Sequence, residues 1–302
     1  MVLTHDHRHA HEDGVRTAFL LAAGLNVAFV ACEVVFGFRS RSLALLSDAG
    51  HNLGDVLGLL LGWGAILLAR RAPSARRTYG LRRSTILAAL ANAVVLLIAV
   101  GAVALEAVQR LRHPAPVAAP TVIAVASIGI AVNGLSAWLL RRGRRDDLNV
   151  RAAAAHLAAD AAVSLGVVLA GVAMLLTRWS WLDPAVSLLV SALIVVGTWG
   201  ILRESLDLAM DAVPGRIDPA AVRTYLEAAP GVVEVHDLHV WAMSTTETAL
   251  TVHLVTGGPA LNDELTARIG QDLLERFGIV HSTIQWESAT RTKPCPQGRR
   301  PR

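Results

Sequence analysis

The sequence predicts an α-helical membrane protein: six transmembrane helices followed by a small C-terminal α+β domain with elements in the order αββαβ. Three observations predict it. Hydrophobic residues make up 53% of the 302 residues and charged residues only 17%, with a mean hydropathy of +0.47; a soluble domain carries about 25% charged residues. Six stretches are long and apolar enough to cross a bilayer, which takes about 20 helical residues. From about residue 212 the texture changes to short apolar runs broken by polar residues. Such a composition excludes a disordered chain, a nucleic-acid-binding arm and a simple soluble enzyme.

The elements follow in order. Residues 1–16 are a polar tail in which His5, His7, His9 and His11 alternate with small or charged residues. Tracts of this kind bind metal loosely; a disordered tail without a role fits as well. The polar start and the length of the first apolar run predict that no signal peptide precedes it. The six spans are predicted at 17–38, 43–69, 84–109, 115–140, 152–177 and 182–202, and the transmembrane domain as 17–210. Six runs of this length would not fit inside one soluble core. Their partner is the lipid bilayer.

Arginine placement sets the orientation, because basic residues collect in short cytoplasmic loops. The loops after spans two and four hold eleven arginines, among them Arg70, Arg71, Arg82, Arg83, Arg141 and Arg142; the other three connections hold five. Both termini are therefore predicted inside, in a cell (inner) membrane. In the soluble domain, 211–290, Asp218-Pro219 is a helix start, an N-cap with proline at the first helical position. A helix to about Ala228 follows, then strands at Val232–Val240 and Ala249–Val255, a helix at Leu261–Phe277 and a strand at Ile279–Trp286. Residues 291–302 read as a disordered tail. The two cysteines, Cys32 in an apolar run and Cys295 in that tail, exclude a disulfide scaffold.

Ionisable residues inside a bilayer are costly and mark function. Glu33, Asp48, His51, Asp55, Glu106, His156 and Asp160 fall within the predicted spans, and no lysine or arginine lies well inside any of them. Spans two and five both contain His-x-x-x-Asp, His51 with Asp55 and His156 with Asp160. Residues four apart share a helix face, so each helix offers an imidazole beside a carboxylate. One such pair also makes an ordinary interhelical hydrogen bond. Two opposed pairs make a four-ligand N₂O₂ set suited to tetrahedral Zn²⁺, and small neighbours such as Ala49, Gly50, Ala158 and Ala159 let the helices approach. Counted from Arg70 and Asp147, the pairs lie about 25 Å and about 17 Å along their helices, compatible levels given loose boundaries.

The segments GFRSRSLALLSDAGHNLGD (37–55), YGLRRSTILAALAN (79–92), HLAADAAVSLG (156–166) and VHDLHVW (235–241) together resemble the cation diffusion facilitator family of divalent-metal transporters, and in particular its bacterial zinc/cobalt/cadmium-resistance branch. The resemblance implies six helices, a ferredoxin-like cytoplasmic domain of metallochaperone type, a homodimer, and export of Zn²⁺ in exchange for H⁺. The family's central transport site falls on His51, Asp55, His156 and Asp160. It also implies a regulatory metal site in the cytoplasmic domain on His236, His253 and His281. His239 is a further candidate there, but strand alternation puts it opposite His236 unless a bulge intervenes. An acid that some relatives place two residues after the last histidine is replaced by Thr283, and plain surface histidines are the other reading. The loop 70–80 has no ligand residue, so no site is expected in it, and the loop 141–147 lacks the histidines of some eukaryotic members.

The mechanism implied is alternating access, with metal and protons competing for one set of ligands. A passive divalent-metal channel is the first alternative, disfavoured because a tight four-ligand site conducts slowly. An intramembrane zinc metalloenzyme is less suited: there is no His-Glu-x-x-His and four protein ligands leave no open position. A metal-sensing receptor lacks any signalling domain. Two imidazoles and two carboxylates do not rank Zn²⁺ against Cd²⁺, Co²⁺, Ni²⁺, Fe²⁺ or Mn²⁺.

Overall fold

A computed structural model describes residues 24–143, 148–257 and 263–290. The histidine tract at His5, His7, His9 and His11, the start of the first span, Arg144, Arg145 and the tail with Cys295 lie outside them.

A helix, α1, covers residues 24–40. Five longer helices follow: α2 Leu43–Ala69, α3 Ser84–Arg112, α4 Ala119–Gly143, α5 Leu148–Thr177 and α6 Leu182–Ala209. All five are long and apolar enough to cross a membrane. Three bounds differ by four residues or more from those predicted. Helix α4 starts at Ala119 rather than 115, because Pro114 and Pro116 cannot donate to a helical ladder. Helix α5 begins at Leu148 and α6 runs on to Ala209, through Arg151 and Arg203 respectively; an apolar window marks bilayer thickness, whereas the helix continues into water.

The chain divides into two compact units, residues 1–59 with 92–200, and residues 60–91 with 201–302. In the first, α4 packs along α5, and Phe29, Leu45, Val122, Ala126 and Val167 form one apolar cluster. Leu96, Val100, Val190 and Ile194 form another. The distribution is inverted relative to a soluble core. Ile98, Leu105, Leu176 and Val196 are 67–79% exposed, whereas Glu33, Asp48, Asn133, Ser164 and Asp183 are wholly buried. A lipid-facing surface with polar residues turned inward has this pattern.

The start of α2 is fixed from two sides. Ser42 is its cap: Ser42 Oγ accepts from Leu45 N at 3.2 Å, and Leu46 N donates to Ser42 O at 3.3 Å. The first two amides go to α6 instead, Leu43 N to Asp183 Oδ2 at 2.7 Å and Ala44 N to Asp183 Oδ1 at 3.4 Å. Ser42 Oγ donates to Asp183 Oδ1 at 2.5 Å. The orphan amides of Leu43, Ala44 and Leu45 at the helix start are thus satisfied in a buried setting. One turn on, Ser47 and Ser187 hydroxyls meet at 2.7 Å.

In the second unit the soluble elements are α7 Pro219–Glu227, β1 Val232–Ala242, β2 Thr248–Thr256, α8 Asp263–Phe277 and β3 Ile279–Ser288. Asp218 caps α7 by accepting from Ala220 N at 2.9 Å. The sheet order is β1-β2-β3, with β1–β2 antiparallel and β2–β3 parallel; α8 makes the crossover that parallel pairing requires. Gly278 ends α8 at φ 68°, a left-handed conformation that favours glycine. Val222, Leu226, Leu250, Val252, Leu254, Ile269 and Leu273 close one core between helices and sheet. The arginine-rich connection from α2 to α3 belongs to this unit. Arg82 pairs with Glu247 in the β1–β2 turn at 3.0 Å, and Arg83 with Asp211. Ile86 packs with Leu208 and Ala242.

Candidate metal centre

The two His-x-x-x-Asp faces meet. His51 and Asp55 on α2 and His156 and Asp160 on α5 each offer one ligand atom, and these atoms all lie within 4.8 Å of one another. His51 Nε2 is 3.3 Å from Asp160 Oδ1 and 3.9 Å from Asp55 Oδ2. His156 Nε2 is 3.0 Å from Asp55 Oδ2 and 3.7 Å from Asp160 Oδ2. A tetrahedral Zn²⁺ with bonds of about 2.0–2.1 Å holds its ligands about 3.3 Å apart. The four N···O edges bracket that length, so the donor set can hold such an ion after small rotamer shifts.

The helices meet as an antiparallel ladder. Asp48 pairs with Ser164 at 3.1 Å, His51 with Asp160 at 3.3 Å and Asp55 with His156 at 3.0 Å. Behind the ladder, glycines of α2 let α3 approach closely. A Cβ on Gly54 would lie 2.8 Å from Leu96 Cδ1, and one on Gly58 2.8 Å from Asn92 Nδ2. Access is one-sided. The Asp160 side chain is 4% exposed and His51 22%, while Asp55 is 38% and His156 49% exposed. The rung nearer the C-terminal end of α2 is open; the rungs beyond it are sealed.

The cytoplasmic histidines divide differently from the expectation. His236 and His253 face each other across β1 and β2, with ring centroids 5.2 Å apart. The third member of this cluster is Glu287, not His281. His253 Nδ1 lies 2.9 Å from Glu287 Oε1, and His236 Nε2 3.6 Å from the same oxygen. The register explains the exchange. His281 sits opposite Ala249 and Glu287 opposite Val255, two residues from His253. His281 is four β2 positions from His253, about 13 Å along the strand, and its ring stacks edge-on against Tyr79 at 5.5 Å. A register shift does fall between His236 and His239, with Asp237 at φ 50°. That bulge aligns His239 with Thr251, on the His253 face. His239 reaches the cluster only through Asp237, 3.0 Å from its own Nε2 and 3.7 Å from His253 Nε2. Glu287, Asp237 and Asp183 were not singled out from the sequence. The period-2 run of polar residues along β3, His281, Thr283, Gln285 and Glu287, was the one available signal for Glu287.

Two His-x-x-x-Asp motifs that meet between long apolar helices, in a chain that also carries a small α+β domain, point to a membrane transporter of divalent cations. Comparison with known proteins gives the family. The cation efflux transmembrane domain matches residues 19–208, and the cytoplasmic domain of cation efflux proteins matches residues 214–289. The chain belongs to the cation efflux family, whose members are transporters and not enzymes. It is 38% identical over 299 residues to the zinc transporter ZitB of Escherichia coli, covering 98% of this chain and 94% of that one. It is 34% identical over 293 residues to a cadmium, cobalt and zinc/H(+)-K(+) antiporter of Bacillus velezensis, covering 94% and 92%. A solved structure of the metal-bound C-terminal domain of the CzcD transporter from Cuprividus metallidurans is 41% identical and covers 23% of this chain and 96% of that one, with a TM-score of 0.21.

Proposed function

We propose that the chain exports Zn²⁺, and related divalent ions, from the cytoplasm in exchange for protons, by alternating access around His51, Asp55, His156 and Asp160. The observation that carries this reading is the four-ligand cluster between α2 and α5, with all ligand atoms within 4.8 Å. Relatives named as a zinc transporter and as a zinc/H(+)-K(+) antiporter support the substrate and the exchange. Each imidazole faces a carboxylate, so the ligands that bind a dication also accept protons; binding one releases the other. The open Asp55–His156 rung fits a state that receives metal from the side of the α2–α3 connection. That connection pairs with the cytoplasmic-domain turn through Arg82 and Glu247, which supports a cytoplasmic position for both.

The rest of the reading follows. Helix α1 is the sixth span, residues 17–210 form the transmembrane domain of an inner-membrane protein, and both termini are cytoplasmic. Residues 211–290 form a ferredoxin-like domain, whose αββαβ order and single sheet support the assignment. About 75 residues make a marginal core, which pairing in a homodimer would reinforce. His236, His253 and Glu287 form its regulatory metal site.

The test is Zn²⁺ flux in proteoliposomes under a pH gradient. Asp55→Ala and Asp160→Ala abolish flux while the protein still folds. Wild-type flux in both would end the proposal, and flux with no proton movement would make the protein a passive channel.

A further inference from the structure

Beyond its sealed rung the ladder runs into two acids for which the transport reading has no task. Glu33 on α1 and Asp48 on α2 are each 0% exposed. Asn52 Nδ2 donates to Glu33 Oε2 at 3.0 Å and Ser164 Oγ to Asp48 Oδ2 at 3.1 Å. Asn52 lies four residues after Asp48 on the same face of α2, so the Glu33 carboxyl that it holds is placed beside Asp48. Their remaining oxygens, Glu33 Oε1 and Asp48 Oδ1, find no donor. Both named donors are neutral. The arginine ion pairs of the described residues go elsewhere, to Glu247, Asp211, Glu106 and Glu227. The titratable groups that face the pair are Cys32 on α1, His51 on α2 and Asp160 on α5; Asp48 senses the latter two through space.

Chemistry limits what the pair can hold. Two carboxylates have only acceptors, so neither can satisfy the other's unpartnered oxygen unless one carries a hydrogen. Two adjacent buried negative charges would also repel strongly. A second observation comes from α4. Its buried face carries Val122, Ala126, Gly129, Asn133 and Ser136. A Cβ on Gly129 would lie 3.0 Å from Ser164 Oγ and 2.5 Å from Phe29 Cζ, so this face looks onto the Asp48–Ser164 rung and onto α1 one turn from Glu33. Along the same face, Asn133 is 0% exposed with neither amide atom partnered, and Ser136 Oγ, 1% exposed, is unpartnered too. Buried polar atoms left without protein partners are the setting for ordered water.

We propose that Glu33 and Asp48 form a second cation site of the transporter, a carboxyl–carboxylate pair that carries one exchangeable proton about a helical turn from the metal ligands, reached through water on the polar face of α4. In loading, a proton from water bonds to one carboxylate oxygen, and the new O–H donates to the other acid. In unloading, that O–H breaks and the proton returns to water. A dication among the four ligands favours the unloaded, doubly anionic pair; an empty centre favours the loaded one. The coupling consequence rests on the proposed Zn²⁺/H⁺ exchange, but the presence of the proton does not.

Infrared difference spectroscopy on the full-length protein in liposomes reads the proton directly. Metal-free wild type at neutral pH shows the carbonyl stretch of a protonated carboxyl, shifted down in D₂O, and Glu33→Gln/Asp48→Asn lacks it. In weakly buffered solution, Glu33→Gln releases about one proton fewer per Zn²⁺ bound than wild type, and Glu33→Asp restores the number. The proposal is overturned by absence of the band in wild type, by its persistence in the double variant, by unchanged proton release, or by a band that disappears when K⁺ or Na⁺ is supplied at constant pH. The two readings fail separately. Loss of the band with intact Zn²⁺ flux removes the acid pair alone; a band present in a protein that moves no Zn²⁺ removes the exporter alone.

Discussion

Asp183 should hold the start of α2, and with it the metal centre two turns along, in place. Asp183→Ala removes the acceptor for two backbone amides, Leu43 N and Ala44 N, and for the Ser42 hydroxyl. Asp183 and Ser42 are both 0% exposed and Leu43 and Ala44 at most 2%, so water does not easily replace the lost acceptor. A buried donor left unmade costs about 1–3 kcal/mol, and loss of a helix cap typically costs about 1 kcal/mol. The hydroxyl can turn to another acceptor, so the two amides dominate and the total is about 3 kcal/mol. For a unit of this size that lowers the midpoint of thermal unfolding by about 6–12 °C. Ser42→Ala, which loses the bond to Asp183 and leaves Leu45 N uncapped, should cost about a third to a half as much. The assay is thermal unfolding of purified protein in one detergent, followed by circular dichroism, with Zn²⁺ flux measured in parallel. Flux should fall in Asp183→Ala, since α2 carries His51 and Asp55. An unfolding midpoint within about 2 °C of wild type would refute the reasoning, because it would mean that these amides find other acceptors.

Three further outcomes are expected. Gly129→Ala puts a methyl 2.5 Å from Phe29 Cζ and 3.0 Å from Ser164 Oγ; overpacking of this kind costs about 1–3 kcal/mol, readable in the same unfolding assay. In the cytoplasmic domain, His253→Ala or Glu287→Gln should remove one bound metal per chain by elemental analysis, whereas His281→Ala, which stacks on Tyr79 instead, should not. Burial, and then a 2.6 Å hydrogen bond to Asp272, push the Tyr225 phenol up to about 12 from its ordinary value near 10. A folded-state value above the unfolded one stabilises fully below pH about 10 and is lost as pH rises toward about 12. Tyr225→Phe should therefore flatten the alkaline fall in stability over that window.

What could be read from the sequence depended on how local the cause is. The five long helices, the Asp218-Pro219 cap and the strand cores follow from period and propensity, which act over a few residues. The His-x-x-x-Asp pairs were legible because both ligands of each pair sit on one helix face. Glu287 was not, because its place beside His253 comes from the parallel register of β3 on β2, two strands separated by α8. The family resemblance pointed to His281, which the register puts opposite Ala249, away from His253. Asp183 escaped for a different reason: it stands at the edge of an apolar run, where a carboxylate reads as a solvated boundary. Only the packing of α6 on the start of α2 turns it into a buried cap.

The direction of the spans carries a further consequence. In both motifs the histidine precedes the aspartate. Had α2 and α5 run parallel, imidazole would have met imidazole and carboxylate would have met carboxylate, leaving one level of like negative charges. A connection through two intervening spans makes the helices antiparallel, so each level pairs one imidazole with one carboxylate, His51 with Asp160 and His156 with Asp55. On the proposed exchange, each rung is complete without metal: an imidazole that holds a proton donates to its carboxylate. Placing a dication there breaks both hydrogen bonds and takes both protons away. An N₂O₂ cage built from parallel helices would have the same ligand inventory but no such metal-free resting state. On that reading, the antiparallel order of two identical motifs lets the same four side chains hold metal or protons by turns.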